Sequence, residues 1–283
     1  MRPHQWLKNL LVFAPALAAH AFDARLLLAA IAFAAFSLAA SSVYLLNDLV
    51  DLENDRRHAR KRRRPMASGA LSPAWGAAMI VPLLAGAIGL ALLAPAKFAL
   101  VLAGYYALTL AYSFWIKRLM IADVIALACL YGARVAAGGA ATRIELSTWL
   151  GALAIFLFLS LALIKRCAEL HDRAARGESV PAGRGYRLAD LPALQAMAAA
   201  SGYIAVLVFA LYLSGPAVTQ LYARPHVMWL ICVVMLYWVS RVVLKTARGE
   251  MHDDPVIFAA TDPASLVCAA LAGGAALAAM TLR

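Results

Sequence analysis

The side chains best suited to chemistry lie together in the stretch Tyr44–Asp55, which has the sequence YLLNDLVDLEND. Asp48, Asp51 and Asp55 are three and four positions apart, a spacing that puts them on one face of a helix, and Asn47 adjoins that face. Like charges one turn apart repel each other, and a hard divalent cation bound by their oxygens relieves the repulsion. Because Mg²⁺ shares its shell with water and substrate phosphates, the stretch predicts a magnesium site for a phosphorylated substrate, with the three aspartates as ligands.

Seven basic residues follow between positions 56 and 64. They leave two other interpretations open: the acids form a solvated face that pairs with these cations, or the cations bind anionic lipid headgroups. The metal–phosphate interpretation is favoured, because acids at the mouth of a membrane helix are costly unless they have a function.

The composition indicates which elements must position these residues. Of the 283 residues, 64% are hydrophobic and 14% are charged, and the mean hydropathy is +0.77. A soluble domain has roughly 45–50% apolar and about 25% charged residues, so lipid must solvate most of this chain. The four cysteines lie in apolar runs without the spacing of a metal site. Soluble, disordered and disulfide-stapled classes are therefore excluded.

Nine apolar stretches are candidates for helices that cross the bilayer, which takes about 20 residues each. We predict an all-α, polytopic membrane protein that forms a single domain over residues 1–283. The first, short stretch is interpreted as a retained helix rather than a signal peptide. The predicted spans are 9–22, 25–46, 73–94, 97–115, 120–141, 147–164, 188–213, 226–243 and 263–282.

The distribution of basic residues predicts the orientation in a bacterial-type inner or plasma membrane. If the spans alternate in direction, 20 of the 26 lysines and arginines lie on the side of the N-terminus and five lie on the other side. The positive-inside rule then places the N-terminus and the acidic stretch in the cytoplasm and, with nine spans, the C-terminus outside. This bias accounts for the net charge of +11, so no nucleic-acid partner is predicted.

Two basic pairs, Lys117-Arg118 and Lys165-Arg166, end spans on the predicted cytoplasmic side. They either anchor the topology by snorkelling to headgroups or bind substrate phosphates, and the acidic stretch on the same side favours phosphates. Tyr112 either donates to a phosphate oxygen or belongs to an interfacial aromatic belt.

Arg134 lies within a span, where a lipid-facing charge costs at least about 2.5–3.5 kcal/mol. It is predicted to face the interior of the bundle, paired either with another helix or with a ligand phosphate. The glycine pairs Gly138-Gly139 and Gly273-Gly274 are interpreted as sites of close helix packing.

Further motifs accompany NDxxDxxxD, and they extend over nearly the whole chain. They are RPHQWLKN (2–9), KRRRPMASG (61–69), YSFWIKR (112–118), ADVIALACLYGARVAAGG (122–139), IKRCAEL (164–170), GRGY (183–186) and MHDDPVIFA (251–259). Together these motifs resemble the UbiA superfamily of intramembrane prenyltransferases, and within it the branch of decaprenyl-phosphate (polyprenyl-phosphate) phosphoribosyltransferases. The chain departs from the aromatic prenyltransferases at residues 165–172, KRCAELHD, which are basic where those enzymes have a second Asp-rich motif. It departs from the branch at Cys167, where a tyrosine is expected.

The resemblance implies a nine-helix UbiA-type bundle that transfers a 5-phosphoribosyl group from phosphoribosyl pyrophosphate to a polyprenyl phosphate. It also implies Mg²⁺, inversion at the ribose C1 and a place in arabinan-precursor biosynthesis. Asn47, Asp48, Asp51 and Asp55 are expected to hold magnesium pyrophosphate. Further residues are expected to bind the substrates, and the donor phosphates are assigned to Lys61, Arg62, Arg64, Lys117, Lys165 and Arg166. Tyr112 is expected to bind a phosphate oxygen, and the lipid phosphate is assigned to Gln5, Lys8 and Arg134. Glu169 is expected to orient the ribose hydroxyls or a lysine, and Arg184 and Tyr186 are expected to close over the pocket.

Two alternatives stay open at this point. One is a UbiA-type enzyme that moves a prenyl group from a prenyl diphosphate to an aromatic acceptor. The other is a transporter, although its acids would be expected at the membrane midplane rather than crowded at one mouth. The sequence leaves the prenyl length open, as well as the choice between monomer and homo-oligomer.

Overall fold

The computed structural model describes residues 3–57, 61–175, 177, 185–215, 218, 221–251 and 254–281, within which the only regular elements are helices. Eight of these helices are long and apolar enough to cross a membrane, and each overlaps a predicted span, although the helix Thr148–Ala174 extends ten residues beyond the predicted end at 164. The eight helices are Arg25–Val50, Pro73–Ala91, Ala96–Phe114, Ala122–Thr142, Thr148–Ala174, Leu188–Leu213, Pro225–Ala247 and Pro263–Met280. The all-helical membrane architecture is therefore confirmed.

The chain divides into two compact units. Unit 1 is Met1–Ile116 with Ala133–Leu146, and unit 2 is Lys117–Gly132 with Ser147–Arg283. The helix Ala122–Thr142 contributes residues to both units. The single domain predicted from the sequence stays a prediction.

Unit 1 begins with a 3₁₀ helix, Pro3–Phe13, and contains the second part of α6 (Ala122–Thr142). Its other helices are α1 (Ala14–Ala18), α2 (Arg25–Val50), α3 (Leu52–Arg57), α4 (Pro73–Ala91) and α5 (Ala96–Phe114). The buried face of α2 includes Ala32, Ala35 and Ala39, whose small side chains let neighbouring helices approach closely. Ser72 caps α4 by accepting a hydrogen bond from the Trp75 N–H at 3.2 Å.

The predicted first span, 9–22, is not a continuous α-helix. Its residues belong to the 3₁₀ helix and to α1, which ends at Ala18. The polar side chains of this segment explain the difference, since Asn9 Nδ2 donates to Ser37 Oγ at 3.0 Å and Trp6 Nε1 donates to Ser41 Oγ at 3.2 Å. The segment thus packs its polar groups against α2. The count of nine spans is not confirmed, because the described residues contain eight.

The helix through the acidic stretch is interrupted at one residue, whereas the sequence predicts that it continues. α2 ends at Val50 and α3 begins at Leu52, with Asp51 between them at φ −92° and ψ 9°. The Asp51 N–H still donates to the Asn47 carbonyl at 2.9 Å, and the Asp55 N–H to the Asp51 carbonyl at 2.8 Å. The helical spacing of the aspartates therefore continues across the junction.

Unit 2 contains the first part of α6 and five later helices. These are α7 (Thr148–Ala174), α8 (Leu191–Leu213), α9 (Trp229–Ala247), α10 (Pro255–Thr261) and α11 (Pro263–Thr281). α7 and α8 are joined by a hydrogen bond from Ser160 Oγ to the Ala198 carbonyl at 2.7 Å. α8 and α9 meet at Gly202, where a β-carbon would lie 2.5 Å from Val239 Cγ1. Small residues therefore permit close packing in this unit as well.

Gly138 marks a very close approach of two backbones within unit 1. A β-carbon at this position would lie 2.0 Å from the carbonyl oxygen of Val12 and 3.0 Å from Pro15 Cδ. α6 and the N-terminal segment can touch in this way only because position 138 has no side chain. Gly273 in α11 differs, since no heavy atom lies within 4 Å of the β-carbon it would gain.

We predict that Gly138→Ala lowers the free energy of unfolding by about 1–3 kcal/mol, the range for overpacking a tight contact. The measurement is the midpoint of thermal unfolding in detergent, followed by tryptophan fluorescence. Gly273→Ala is the matched control and should unfold at or above the wild-type temperature, because alanine favours a helix over glycine. Equal midpoints for the two variants would contradict the close approach.

Candidate active site

The loop after α3 is fixed to unit 1 by Met66. This side chain is buried in a cluster with Leu45 of α2 and Leu83 of α4. Its sulfur would lie 2.5 Å from a β-carbon on Gly76, so α4 leaves space for it at a glycine. Residues 61–64, which precede Met66, are consequently held next to the end of α2.

Arg64 uses this position to bind two aspartates of the predicted stripe. Its Nη1 lies 3.1 Å from Asp48 Oδ1 and 2.5 Å from Asp55 Oδ2. The two acids are 7% and 2% exposed. Burying two carboxylates side by side is costly unless a cation and hydrogen-bond donors compensate for the lost water, and here one guanidinium nitrogen supplies both.

The other predicted members of this group lie beside the pair. Asn47 and Asp51 are half-buried, Arg62 is exposed, and Lys61 belongs to a short 3₁₀ helix, Lys61–Arg63. The alternative of a solvated acidic face paired with the following cations therefore agrees with the structure in the pairing with Arg64 but not in the exposure, because Asp48 and Asp55 are buried.

The carboxylate oxygens of Asp48 and Asp55 are suitable ligands for magnesium. Mg²⁺ is typically bound by one or two carboxylates, with water and substrate phosphates completing its shell. In unit 1, the carboxylates of Asp48 and Asp55 already converge on one positive group, so they can converge on a metal ion. Within the part of the chain that the structure describes, no three His, Cys, Asp or Glu side chains form a metal cluster. The fit is therefore to a two-carboxylate site that a phosphorylated ligand completes.

Arg134 faces the interior of unit 1, as its position in a span predicts. It is buried, its Nε donates to Asn9 Oδ1 at 2.9 Å, and its Nη2 donates to the Tyr105 hydroxyl at 3.1 Å. The guanidinium carbon also lies 4.9 Å from the centre of the Tyr105 ring. Polar and aromatic partners from unit 1 thus hold this charge away from lipid.

The remaining predicted residues of unit 1 lie at different depths. Lys8 is buried in the 3₁₀ helix Pro3–Phe13, whereas Gln5 and Tyr112 are half-buried. Their expected roles toward the lipid phosphate and a phosphate oxygen stay predictions.

Unit 2 contains a second charged cluster, which is centred on Asp123. This residue was not among the predicted site residues. Arg166 is 1% exposed and Asp123 is fully buried, and Arg166 Nη2 lies 2.6 Å from Asp123 Oδ2. Arg166 also forms an ion pair with Glu169. The signal available in the sequence was an acid in the first turn of an apolar helix, a position that requires a partner.

Tyr186 completes this cluster. Its hydroxyl donates to Asp123 Oδ1 at 2.5 Å and accepts the N–H of Ile121 at 2.8 Å. Burial, together with the bond to Asp123, raises the pKa of the Tyr186 phenol above its usual range, so the hydroxyl keeps its proton. Ile121 has φ 66°, a left-handed conformation that costs a β-branched residue about 1–3 kcal/mol. The cluster therefore holds a strained turn immediately after Lys117 and Arg118.

Lys165, next to Arg166, has a different partner. Its Nζ lies 2.9 Å from Asp254 Oδ2, and Asp254 also caps α10 by accepting the Val256 N–H at 3.1 Å. Lys165, Glu169 and Lys117 remain partly exposed, whereas Arg166 and Tyr186 are buried within unit 2. Arg184 lies outside the described residues.

The structure thus combines a helical membrane fold with a pair of buried carboxylates at the end of α2, the first of its eight long helices. The profile of the UbiA prenyltransferase family matches residues 10–261. The chain belongs to the UbiA prenyltransferase family.

Three relatives illustrate the similarity. Nodulation protein NoeC of Azorhizobium caulinodans is 37% identical over 268 residues, which are 94% of this chain and 87% of NoeC. The uncharacterized protein y4nM of Sinorhizobium fredii is 38% identical over 283 residues, 99% of this chain but 55% of that protein. Decaprenyl-phosphate phosphoribosyltransferase of Corynebacterium glutamicum is 44% identical over 181 residues, 61% of this chain and 54% of that protein. The chain thus spans about half the length of y4nM.

A solved structure shows the same fold. A UbiA homologue from Archaeoglobus fulgidus bound to DMAPP and Mg²⁺ superposes with a TM-score of 0.69 at 18% identity, covering 100% of this chain and 98% of that one.

We predict that Asp123→Ala lowers the free energy of unfolding by about 3–5 kcal/mol, because it breaks the fully buried ion pair with Arg166 and leaves that cation only the partly exposed Glu169. Thermal unfolding in detergent measures the effect, and Glu145→Ala, which removes an exposed acid, should leave the midpoint unchanged. If Asp123→Ala does not fold, Asp123→Asn, which keeps the shape without the charge, should fold with a midpoint below those of the wild type and Glu145→Ala. An Asp123→Asn midpoint equal to that of the wild type would contradict the structural role of the charge.

Proposed function

We propose that the protein transfers a 5-phosphoribosyl group from phosphoribosyl pyrophosphate to a polyprenyl phosphate and releases pyrophosphate. The observation that supports this most directly is the convergence of Asp48 and Asp55 on the cation Arg64 at the end of an apolar helix. A pair of this kind suits a donor that arrives as a magnesium diphosphate, and the apolar bundle suits an acceptor with a long prenyl chain.

In this proposal Asp48 and Asp55 would hold magnesium, with Asn47 and Asp51 beside them. When bound, the ion would neutralise the charge that develops on the departing pyrophosphate. Arg64 adds a positive charge at the same place, which can pair with phosphate oxygens.

The reaction needs little else from the protein. The bond from ribose C1 to the pyrophosphate oxygen breaks, and its electrons leave with pyrophosphate. A new bond forms between C1 and an oxygen of the lipid phosphate. Because that phosphate is already an anion at neutral pH, no general base has to remove a proton. Arg134, held in the interior of unit 1, is our proposed ligand for the lipid phosphate, together with Lys8 and Gln5.

Two findings favour the phosphoribosyl donor over a prenyl donor. The first is the name of the Corynebacterium glutamicum relative, which matches 61% of this chain at 44% identity. The second is Lys165-Arg166, in the C-terminal half of α7, in place of a second Asp-rich motif. Prenyl transfer to an aromatic acceptor is the second candidate, favoured by the family and by the Archaeoglobus fulgidus homologue bound to DMAPP and Mg²⁺. We infer the cytoplasmic orientation of the site from the basic residues alone.

Purified protein with radiolabelled phosphoribosyl pyrophosphate, decaprenyl phosphate and Mg²⁺ is expected to form a labelled lipid. Asp48→Asn, Asp51→Asn and Asp55→Asn should each lower the rate by more than about 100-fold, because each weakens the electrostatic stabilisation of the leaving group. Glu53→Gln is the matched control: this acid lies in the same stretch but is exposed, and its rate should equal that of the wild type.

Size-exclusion profiles and unfolding midpoints confirm that the variants are folded. Full activity in the Asp48→Asn and Asp55→Asn variants would contradict the metal assignment. Labelled product from a prenyl diphosphate and an aromatic acid, with none from phosphoribosyl pyrophosphate, would establish the second candidate instead. Flux across liposomes without conversion of either donor would indicate a transporter.

A further inference from the structure

The outer face of α9 changes from apolar to basic along its length. Its first half exposes Trp229, Leu230 and Val233, which are large apolar side chains. A membrane-spanning helix presents such residues to acyl chains. Tyr237 continues this face, and it is followed by a basic cleft at the C-terminal end of the helix. One helix face therefore offers apolar contacts followed by positive charge, in the order in which a phospholipid presents its chains and its headgroup.

The cleft has a volume of about 310 Å³ and lies entirely within unit 2. It is lined chiefly by Tyr237, Ser240, Arg241, Leu244, Lys245 and Arg248. These residues are spaced three, four, seven, eight and eleven positions after Tyr237, so they all lie on one side of the helix. The volume is at the lower end of the range for small-ligand sites, which is about 300–1,000 Å³.

Arg241 forms the fixed wall of this cleft. Its Nη1 and Nη2 donate to the two oxygens of Asp262 at 2.7 and 3.0 Å, and the guanidinium holds the pKa of that carboxyl down at about 2. The pair stays ionised at neutral pH, and it joins α9 to the start of α11. Arg241 is therefore committed to a structural contact and contributes no uncompensated charge.

The charge available to a ligand comes from Lys245 and Arg248. Lys245 lies 3.2 Å from Glu250, and both side chains are partly exposed, a type of ion pair that contributes only about 0–1 kcal/mol. Arg248 is exposed, and its side chain has no hydrogen bond or ion pair with any residue that the structure describes. An anion in the cleft can thus pair with Arg248 and compete with Glu250 for Lys245.

We propose that this cleft binds the phosphate of an anionic phospholipid, whose acyl chains lie along the exposed apolar side chains nearest to it on the same helix face, Leu244, Tyr237 and Val233. Charge complementarity and the continuous exposed face identify the occupant, since a soluble phosphate would gain nothing from these apolar side chains. The cleft is formed by residues of unit 2 alone, whereas Asp48, Asp55 and Arg64 belong to unit 1, and the lipid proposal does not depend on the reaction proposed for them.

Native mass spectrometry of the protein, released from nanodiscs with equal amounts of phosphatidylglycerol and phosphatidylcholine, tests the proposal. The wild type should retain phosphatidylglycerol in preference. Lys245→Ala/Arg248→Ala should retain about tenfold less of it, from the loss of two cations near a lipid phosphate. Glu250→Gln should retain about threefold more, because the competing carboxylate is removed.

The matched control is Lys97→Ala/Arg143→Ala, which removes two exposed cations elsewhere and should retain phosphatidylglycerol like the wild type. Unfolding midpoints verify that all variants are folded. Equal retention of the two lipids, or an equal loss in the control, would overturn the proposal. Displacement of the lipid by millimolar inorganic pyrophosphate would show a site for soluble anions and would overturn it as well.

Discussion

Asp48 and Asp55 are buried acids of like charge, and burying two such side chains together is costly unless a cation lies between them. Much of unit 1 can be understood from this requirement. Asp48 lies near the C-terminal end of α2, and Asp55 lies seven residues later in the short α3. The segment anchored by Met66 then brings Arg64 back to the same point. A ligand that brings its own metal ion can take over the role that the guanidinium has in the structure.

In unit 2, too, acidic side chains have cationic partners, but there the ion pairs connect parts of the fold. Three of its acids are paired with basic side chains, one pair fully buried and two partly exposed, and the pairs join distant parts of the chain: Arg166 with Asp123, Lys165 with Asp254, and Arg241 with Asp262. Basic residues at the ends of membrane spans therefore have several roles. Some connect helices, some remain exposed to headgroups or substrates, and the general bias of basic residues toward one side does not distinguish between them.

Much of the fold was predictable because a membrane helix needs a long apolar run, and eight of the nine predicted runs form such helices. Residues 9–22 are not confirmed as a continuous α-helical span, because this segment is a 3₁₀ helix as far as Phe13, and hydropathy does not register hydrogen bonds such as the one from Asn9 to Ser37 of α2. Asp48, Asp55 and Arg64 were predicted from their spacing and charge. Asp123 was missed because its partners, Arg166 and Tyr186, are 43 and 63 residues away in the sequence, and local patterns contain no information on such pairs.

The central claim is that the acids at the end of α2 bind a diphosphate donor through a divalent ion. Calorimetric titration of the purified protein with phosphoribosyl pyrophosphate measures this directly, with Mg²⁺ and then with EDTA. The account predicts saturable binding with Mg²⁺ that becomes weaker by about tenfold or more without it. Equal affinity in the two conditions would contradict it.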